Sequence, residues 1–524
     1  MSAATAAAGR VAIRRAPASR AITGPAVVVG VTVVASTALL FATANPLFAL
    51  LPPVFVAAAY AVATLPARVP LFAALALAML ADVAPSRLPD EIEVWHSPVY
   101  PLQLLLTDNL NKLVGVEAAR ISGFELIALA LIALVTARAF AGDRTDAADR
   151  VAPARPLVVA LVLSVGAVLT LEVWGAARGG DVRQSLWQFR QLLWMPVLAL
   201  LLSATMRGAR DAALFAGVAA AVSCLKILIG VYYYFAIAHP LGVVPATVTS
   251  HADSVLFVVS MAAWLAAAYY RPSVRRVVFA GALAGWTLFG LVINNRRTAY
   301  LTLVAAAVVF YATLPRRARR ALALASVAAL PAVGLYVAVG RNRTEPVFAP
   351  AAKLMSVVTQ KDASSLTRDI ENYNLITTLH GNPIVGSGWG HPYVEVVHAY
   401  DIAKVFPQYR FVAHNSVLWL WSIGGLIGFT LLWLPIATGV FFAARARLYA
   451  ATPLDRAVAY GALATYVAFV IQAWADMGTQ SWTTQGMLAV ALAASGQLAV
   501  STGAWPQRTR LFGASVPRGA GRRA

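Results

Sequence analysis

Charged residues are scarce in this chain: only 12% of its 524 residues are Asp, Glu, Lys or Arg, against about 25% in an ordinary soluble domain. So little charge excludes a solvated globular protein as the basic plan. Cysteine is nearly missing as well. The single Cys224 sits inside an apolar run, which excludes an intramolecular disulfide and a thiolate metal cluster. No Asp-x-Asp pair is present to hold a divalent cation against a sugar diphosphate, and no glycine-rich phosphate loop precedes a helix. The seven histidines include no His-x3-His pair, so no metal ligands and no cofactor are expected.

What is present is apolar sequence. The chain is 60% hydrophobic, its mean hydropathy is +0.71, and its runs repeatedly approach the roughly 20 residues that cross a bilayer. About 14 spans are expected, near 25–43, 46–65, 69–84, 121–139, 156–174, 191–206, 212–236, 252–270, 275–293, 299–314, 321–340, 416–442, 457–474 and 483–500. The fold class is therefore all-α, a polytopic integral membrane protein. A net charge of +20 would suggest nucleic acid as the partner of a soluble chain. Here most arginines sit in short loops between apolar runs, where positive charge retains loops on the cytoplasmic side, so a membrane and no nucleic acid is the expected partner.

With a cytoplasmic N-terminus the arginines sort by side. Arg10, Arg14, Arg15 and Arg20, then Arg68, the group Arg138 to Arg155, Arg207 and Arg210, Arg271 to Arg276, Arg316 to Arg320, and Arg445 to Arg456 all fall inside. An even number of spans returns the arginine-rich C-terminal tail to that side too. No small-residue cleavage site closely follows the first arginines, so the helix from Val27 onward is expected to be retained. The expected divisions are a basic tail at 1–24, eleven spans over 25–340, a loop domain at 341–411, three spans over 412–500 and a second basic tail at 501–524.

Two outer segments are long. Residues 85–120 are polar and contain prolines, with Trp95 and Tyr100 suited to an interface. Residues 341–411 exceed by far the roughly 15 residues beyond which loops are functional or disordered. In that loop Ser365 is expected to cap a helix over Leu366 to His380, and "GNPIVGSGWG" to end it.

Outer arginines are the informative exceptions to positive-inside sorting. Arg178, Arg183 and Arg190 fall in an outer loop after the fifth span, and Asn294, Asn295, Arg296 and Arg297 make a tight outer turn after the ninth. Snorkelling anchors and solvated loop residues are the plain alternatives for these side chains. His414, directly before the apolar run "SVLWLWSIGGLIGF", is either a helix-entry residue or a titratable group presented at the bilayer lip. His251, His391 and His398 read more simply as ordinary polar residues. Lys226, deep in the seventh span, must be either paired or functional.

Outward guanidiniums around one imidazole suit a diphosphate leaving group and a hydroxyl nucleophile. Guanidinium neutralises phosphate oxygens through paired hydrogen bonds, and neutral imidazole accepts the hydroxyl proton. Four segments then carry a family likeness: "HNSVLWLWSIGGLIG", "NNRRTAYL", "LTRDIENYNLITTLHGNPIVGSGWG" and "GGDVRQSLWQFRQLLWMPVLAL". Together and in this order they resemble the bacterial O-antigen ligase and O-antigen polymerase superfamily.

That resemblance implies a polytopic inner-membrane glycosyltransferase with both termini cytoplasmic and a large, partly helical periplasmic loop. Its donor would be a glycan on undecaprenyl diphosphate, and its acceptor another glycan, a lipid A core or a protein. It implies metal-independent, inverting transfer in which His414 assists the acceptor hydroxyl, Arg190, Arg297 and Arg296 hold the diphosphate, and Arg368, Asn415 and Arg183 contact substrate. Ser422 and Ile423 stand where many members carry an acidic residue, and asparagine replaces the serine ahead of the arginine motif. A transporter of the same lipid-linked glycan is the rival from another class, since transporters keep ionisable residues near the midplane, and Lys226 is the residue that favours it.

Overall fold

The computed structural model describes residues 19–43, 49–82, 97–111, 120–143, 145–146, 150–242, 245, 247–294, 296–341, 343, 348, 351–352, 355, 363–398 and 408–506. Their regular structure is all helical, joined by turns and loops, with no strand among them. Two compact units divide the chain, 1–66 and 67–524. The first holds α1 (Ser19–Thr43) and α2 (Leu51–Thr64), two apolar helices packed on each other, with Pro in the opening turn of α2. Proline is tolerated there because those first amides have no intrahelical acceptor.

In the second unit α3 (Arg68–Ala81) and the short α4 (Tyr100–Leu106) precede the longer helices α5 (Gly123–Phe140), α6 (Arg155–Ala177) and α7 (Val182–Thr205). Then come α8 (Ala209–Tyr232), continuing as a π-helix to Ala238, α9 (Asp253–Tyr270), α10 (Val274–Asn294), α11 (Arg297–Thr313) and α12 (Arg316–Gly340). The last four are α13 (Ala363–Gly381), α14 (Ser416–Tyr449), α15 (Pro453–Ala475) and α16 (Trp482–Ser501). A helix lies on each of the 14 stretches expected to span. Among the described residues nine are long and apolar enough to cross a membrane: α5 to α10, α12, α14 and α15.

The shortfall from 14 has a visible cause in α16. It is buried along nearly its whole length against α7, α14 and α15, so its walls are protein and it need not be strongly apolar. Gln497 uses that freedom: its Nε2 donates to the carbonyls of Val151 (3.1 Å) and Met206 (2.9 Å), and its Oε1 accepts from Gly208 N (3.2 Å). The opposite case is α12. Its apolar window is wholly unburied, as expected for a helix that faces lipid.

Two boundaries differ from expectation. Helix α7 begins at Val182, because the Asp181 carboxylate caps it by accepting from Arg183 N (2.7 Å) and Gln184 N (3.3 Å). Arg183 and Arg190 therefore lie on a helix and not in a loop. Helix α13 starts at Ala363, so Ser365 sits inside it and is not its cap. Trp95 with all of 85–96 and 112–119, and residues 1–18 and 507–524 of the two basic tails, lie outside the described residues.

The distinctive element is α14. At Gly425 the backbone leaves helical geometry (φ 56°, ψ −165°), about 14 Å along the axis from Ser416 at 1.5 Å per residue. A break at that depth exposes backbone groups which lipid cannot satisfy. The segment after α13 supplies the partners. Ser387 N and Gly388 N donate to the carbonyls of Ser422 (3.3 Å) and Ile423 (3.0 Å), while Leu426 N and Ile427 N donate to those of Pro383 (2.8 Å) and Ile384 (3.1 Å). Trp389 then fastens this segment to α6, its Nε1 donating to Val168 O (2.9 Å) and its ring packing against Trp419 at 6.0 Å between centroids.

A Cβ on Gly425 would lie 2.4 Å from the Ile384 carbonyl carbon, in a backbone region where L side chains are strained. Gly425→Ala should therefore cost at least about 2 kcal/mol of stability. Gly281→Ala, where a Cβ meets nothing within 4 Å, should be neutral or slightly stabilising. Thermal unfolding of the purified variants separates the two outcomes.

Candidate functional site

His414 stands at the entrance to α14, where the chain arrives from the long loop. Its backbone N donates to Glu371 Oε2 (3.0 Å) and its Nδ1 lies 3.3 Å from Glu371 Oε1. Glu371 is buried on α13, so one carboxylate fixes both the main chain and the ring. The neighbouring residues repeat the contact: Asn415 Nδ2 donates to Asn372 Oδ1 (3.1 Å), while Asn415 Oδ1 caps α14 by accepting from Leu418 N (3.1 Å). With Nδ1 held, the ring presents Nε2 away from Glu371.

A second histidine–carboxylate pair lies alongside. Asp476, at the end of α15, pairs with His251 Nδ1 just before α9, and its carbonyl accepts from Ser416 Oγ (3.2 Å). Thr479 Oγ1 closes the link by donating to Ser416 Oγ (3.2 Å). Burial alone would raise the Asp476 carboxyl. The hydrogen bond and charge of His251, with the charges of His414 and Arg368, hold it instead well below the usual carboxylate range.

Two guanidiniums reach the same field. Burial lowers Arg296 to about 10, against the pull of Asp476 and with the push of Arg368, so it stays cationic at neutral pH. The Nε atoms of Arg296 and Arg368 are both buried without an acceptor among the described residues. Leaving such a donor unmatched costs about 1–3 kcal/mol or more, so it is retained only where something else offsets the cost. Arg296 and Arg297 also sit at the N-terminus of α11, where the helix dipole already favours an anion.

His414, Asn415, Arg368 and Arg296 are thus brought together, with Arg297 next along the chain. Arg190 and Arg183 lie elsewhere, lining a cleft of about 140 Å³ with Arg120, Asn109 and Gln191. Arg190 is clamped by Glu125, its Nε donating to Oε1 (2.6 Å) and its Nη2 to Oε2, and Nη1 donates to Asn109. Glu125 is itself held by the capping box of α5 and by Trp194 Nε1 (2.7 Å). Among the described residues no contact joins Arg190 to His414. Nor do three His, Cys, Asp or Glu side chains gather there at metal-binding range.

Lys226 is paired. Its Nζ donates to the Asp82 carbonyl (2.8 Å) and to the Asp253 carboxylate, while Asp82 Oδ2 accepts from Ser481 Oγ (2.6 Å). This locks the ends of α3, α9 and α16 together. Sequence reading missed Glu371 and Asp476 and took His251 as an ordinary polar residue. The available signals were an acidic residue beside asparagines within a helix-forming loop, and an aspartate terminating an apolar helix.

The stretch from the middle of α10, through the arginine turn and the loop, to the broken half of α14 also has a match among known families. The O-antigen ligase family model matches residues 282–433. The superfamily likeness read from the motifs is borne out. The matched segment contains Arg296, Arg297, Arg368, Glu371, His414 and Gly425, and leaves Arg190, His251 and Asp476 outside. Its family supports glycan transfer of ligase or polymerase type by a multi-pass membrane protein. No curated protein matches the chain.

Burial pushes the His414 imidazole down, but the hydrogen bond and charge of Glu371, aided by Asp476, outweigh burial and the Arg368 charge and raise it above its ordinary 6.5. The pair's stabilisation is full below 6.5 and is lost as pH rises through the folded-state value. Glu371→Gln should move the His414 titration to lower pH, read by histidine NMR against a His414→Gln blank.

Proposed function

We propose that this protein transfers a glycan from undecaprenyl diphosphate to an acceptor hydroxyl at the periplasmic face of a bacterial inner membrane, as an O-antigen ligase does. One observation carries the reading: the segment matched by the O-antigen ligase family encloses an oriented imidazole in the electrostatic field of two half-buried guanidiniums whose buried Nε donors are unmatched among the described residues. The termini are assigned to the cytoplasm, which gives the arginine-poor end of the bundle, with His414, to the periplasm.

His414 Nε2 takes the proton of the acceptor hydroxyl, and Glu371 stabilises the imidazolium that forms. The acceptor oxygen bonds to the sugar's anomeric carbon from the face opposite the leaving group, and the bond from that carbon to the diphosphate oxygen breaks. Configuration inverts in this single displacement. The charge released onto the diphosphate is met by Arg296 and Arg297 at the α11 N-terminus. Arg368 and Asn415 contact the substrates around this centre, and Arg183 contacts the donor in the outer cleft that it lines. Arg190, already carrying Glu125, supplies charge to the outer cleft along which the donor approaches. No metal enters the scheme, because guanidinium does the neutralising.

Polymerase and protein O-glycosylation activities use the same chemistry and differ in the acceptor. The transporter reading loses its support, since Lys226 is tied into a static bridge between helix ends.

His414→Ala should lower glycan transfer by about 10²–10⁴-fold with unchanged protein abundance. Arg297→Lys should also impair it, because an ammonium cannot reproduce a planar fork. Full transfer in both variants would reject the site. In a deletion strain, long chains accumulating on the lipid carrier indicate a ligase, and single repeat units a polymerase.

A further inference from the structure

The proposed transfer site uses one end of α9 and α15. At the opposite end the same two helices border an apolar cavity of about 250 Å³, closed on its other sides by α8 and α16. Its walls are small: Ala216, Ala219, Ala263 and Gly461 leave the space, and Trp264 flanks it. The mouth carries Arg271 and Arg276, and Arg276 Nη1 donates to the Arg271 carbonyl (2.9 Å), which keeps the two together. A second cleft of about 420 Å³ shares Arg271 and Leu454 with the first and adds Arg207 and Arg210.

The carboxylates at this end are committed. Asp211 pairs with Arg207 and with Arg68 (3.4 Å), and Asp455 accepts from Thr452 Oγ1 (2.7 Å) at the start of α15. Arg210 and Arg271 are exposed and Arg276 half-buried at the rim, so the mouth is net positive. From Leu454 to Thr465 the groove runs about 16 Å along α15, close to half of a roughly 30 Å hydrocarbon core. One leaflet's depth, apolar walls and guanidiniums at the rim together match one kind of molecule. A soluble anion would leave the apolar walls unfilled, and an uncharged lipid would leave the arginines unmatched.

We propose that this groove binds one anionic phospholipid of the leaflet at that end, its acyl chain lying between α9 and α15 and its phosphate on Arg271 and Arg276. Guanidinium meets phosphate through paired, charge-assisted hydrogen bonds, which selects for the headgroup's charge. The chain fills volume that the alanines and glycine leave open, so the lipid acts as a packing element between α8, α9 and α15.

The test uses the full-length protein in detergent, with phosphatidylglycerol or phosphatidylcholine of identical acyl chains added and bound lipid read by native mass spectrometry. One phosphatidylglycerol per chain should be retained in preference to phosphatidylcholine. Arg271→Gln with Arg276→Gln should weaken that retention about tenfold or more. Ala263→Phe, which fills the groove without changing charge, should reduce retention of both lipids. Equal retention of the two lipids overturns the proposal, as does undiminished phosphatidylglycerol binding in the double arginine variant or a second protein copy in place of lipid. Should Ala263→Phe fail to fold, the rim arginine pair decides the matter.

Discussion

A helix cannot be interrupted within a bilayer unless every freed backbone group finds a partner. The break at Gly425 meets that constraint by admitting the segment after α13, whose amides and carbonyls complete the interrupted ladder of α14 from both sides. The rest of the site follows from this insertion. Because residues 383–388 are pinned inside α14 and Trp389 is pinned to α6, the C-terminal end of α13 is fixed relative to the entrance of α14. Only then does Glu371, nearly three turns back along α13, stand where it can grip both the main chain and the ring of His414. Gln188 of α7 reinforces the register, donating to the carbonyls of Phe411 (2.7 Å) and His391 (3.2 Å) on either arm of the same loop.

The two ends of the bundle treat charge differently. At the arginine-rich end the buried carboxylates are fully engaged: Asp211 by Arg68 and Arg207, and Asp146 by Arg138 (2.9 Å) and the amide of Ala67 (2.6 Å). Such pairs offset each other's desolvation and join helix ends. At the His414 end Glu371 and Asp476 pair with histidine, a weaker partner than arginine, although Glu125 there still carries Arg190, and the Nε donors of Arg296 and Arg368 stay unmatched among the described residues. A buried guanidinium donor without an acceptor is expensive, even in the field of Asp476. Its presence there is what a site for a transient anion requires, and what a purely structural junction would avoid.

Much of the fold was legible because apolar runs are local signals: a helix lies on each expected stretch, and the topology requires only that the helices alternate. Boundaries set by one side chain were not, as the Asp181 cap shows by drawing Arg183 and Arg190 into α7. At the site the imidazole and the guanidiniums were visible because they violate the sorting of charge across a membrane. Glu371 and Asp476 violate nothing, since carboxylates are tolerated on the outer side. Their roles arise from contacts across 43 and 225 positions of sequence, to His414 and His251, which no local pattern encodes. The glycine pair in "SIGGLIG" was read as a family mark, and its physical meaning, a helix opened to receive a loop, needs the three-dimensional arrangement.

Lys226 illustrates how a charge deep in an apolar helix can be purely architectural. Its ammonium bridges the Asp253 carboxylate and the Asp82 carbonyl, and Asp82 in turn accepts from Ser481 and from Thr483 N (3.1 Å). Three helix ends meet at one buried cation, and two of them lead directly to the second histidine–carboxylate pair: His251 precedes α9 and Asp476 precedes the turn into α16. An uncompensated charge left by removing one member would be strongly destabilising, so the network persists as a unit. The bridge therefore sets the positions of His251 and Asp476, and through Ser416 it reaches the start of α14. The insertion at Gly425 fixes His414 from the loop side, and the lysine bridge fixes its surroundings from the bundle side. In the proposed transfer, an imidazole held from both directions is oriented before substrate arrives, which would lower the reorganisation needed for proton transfer.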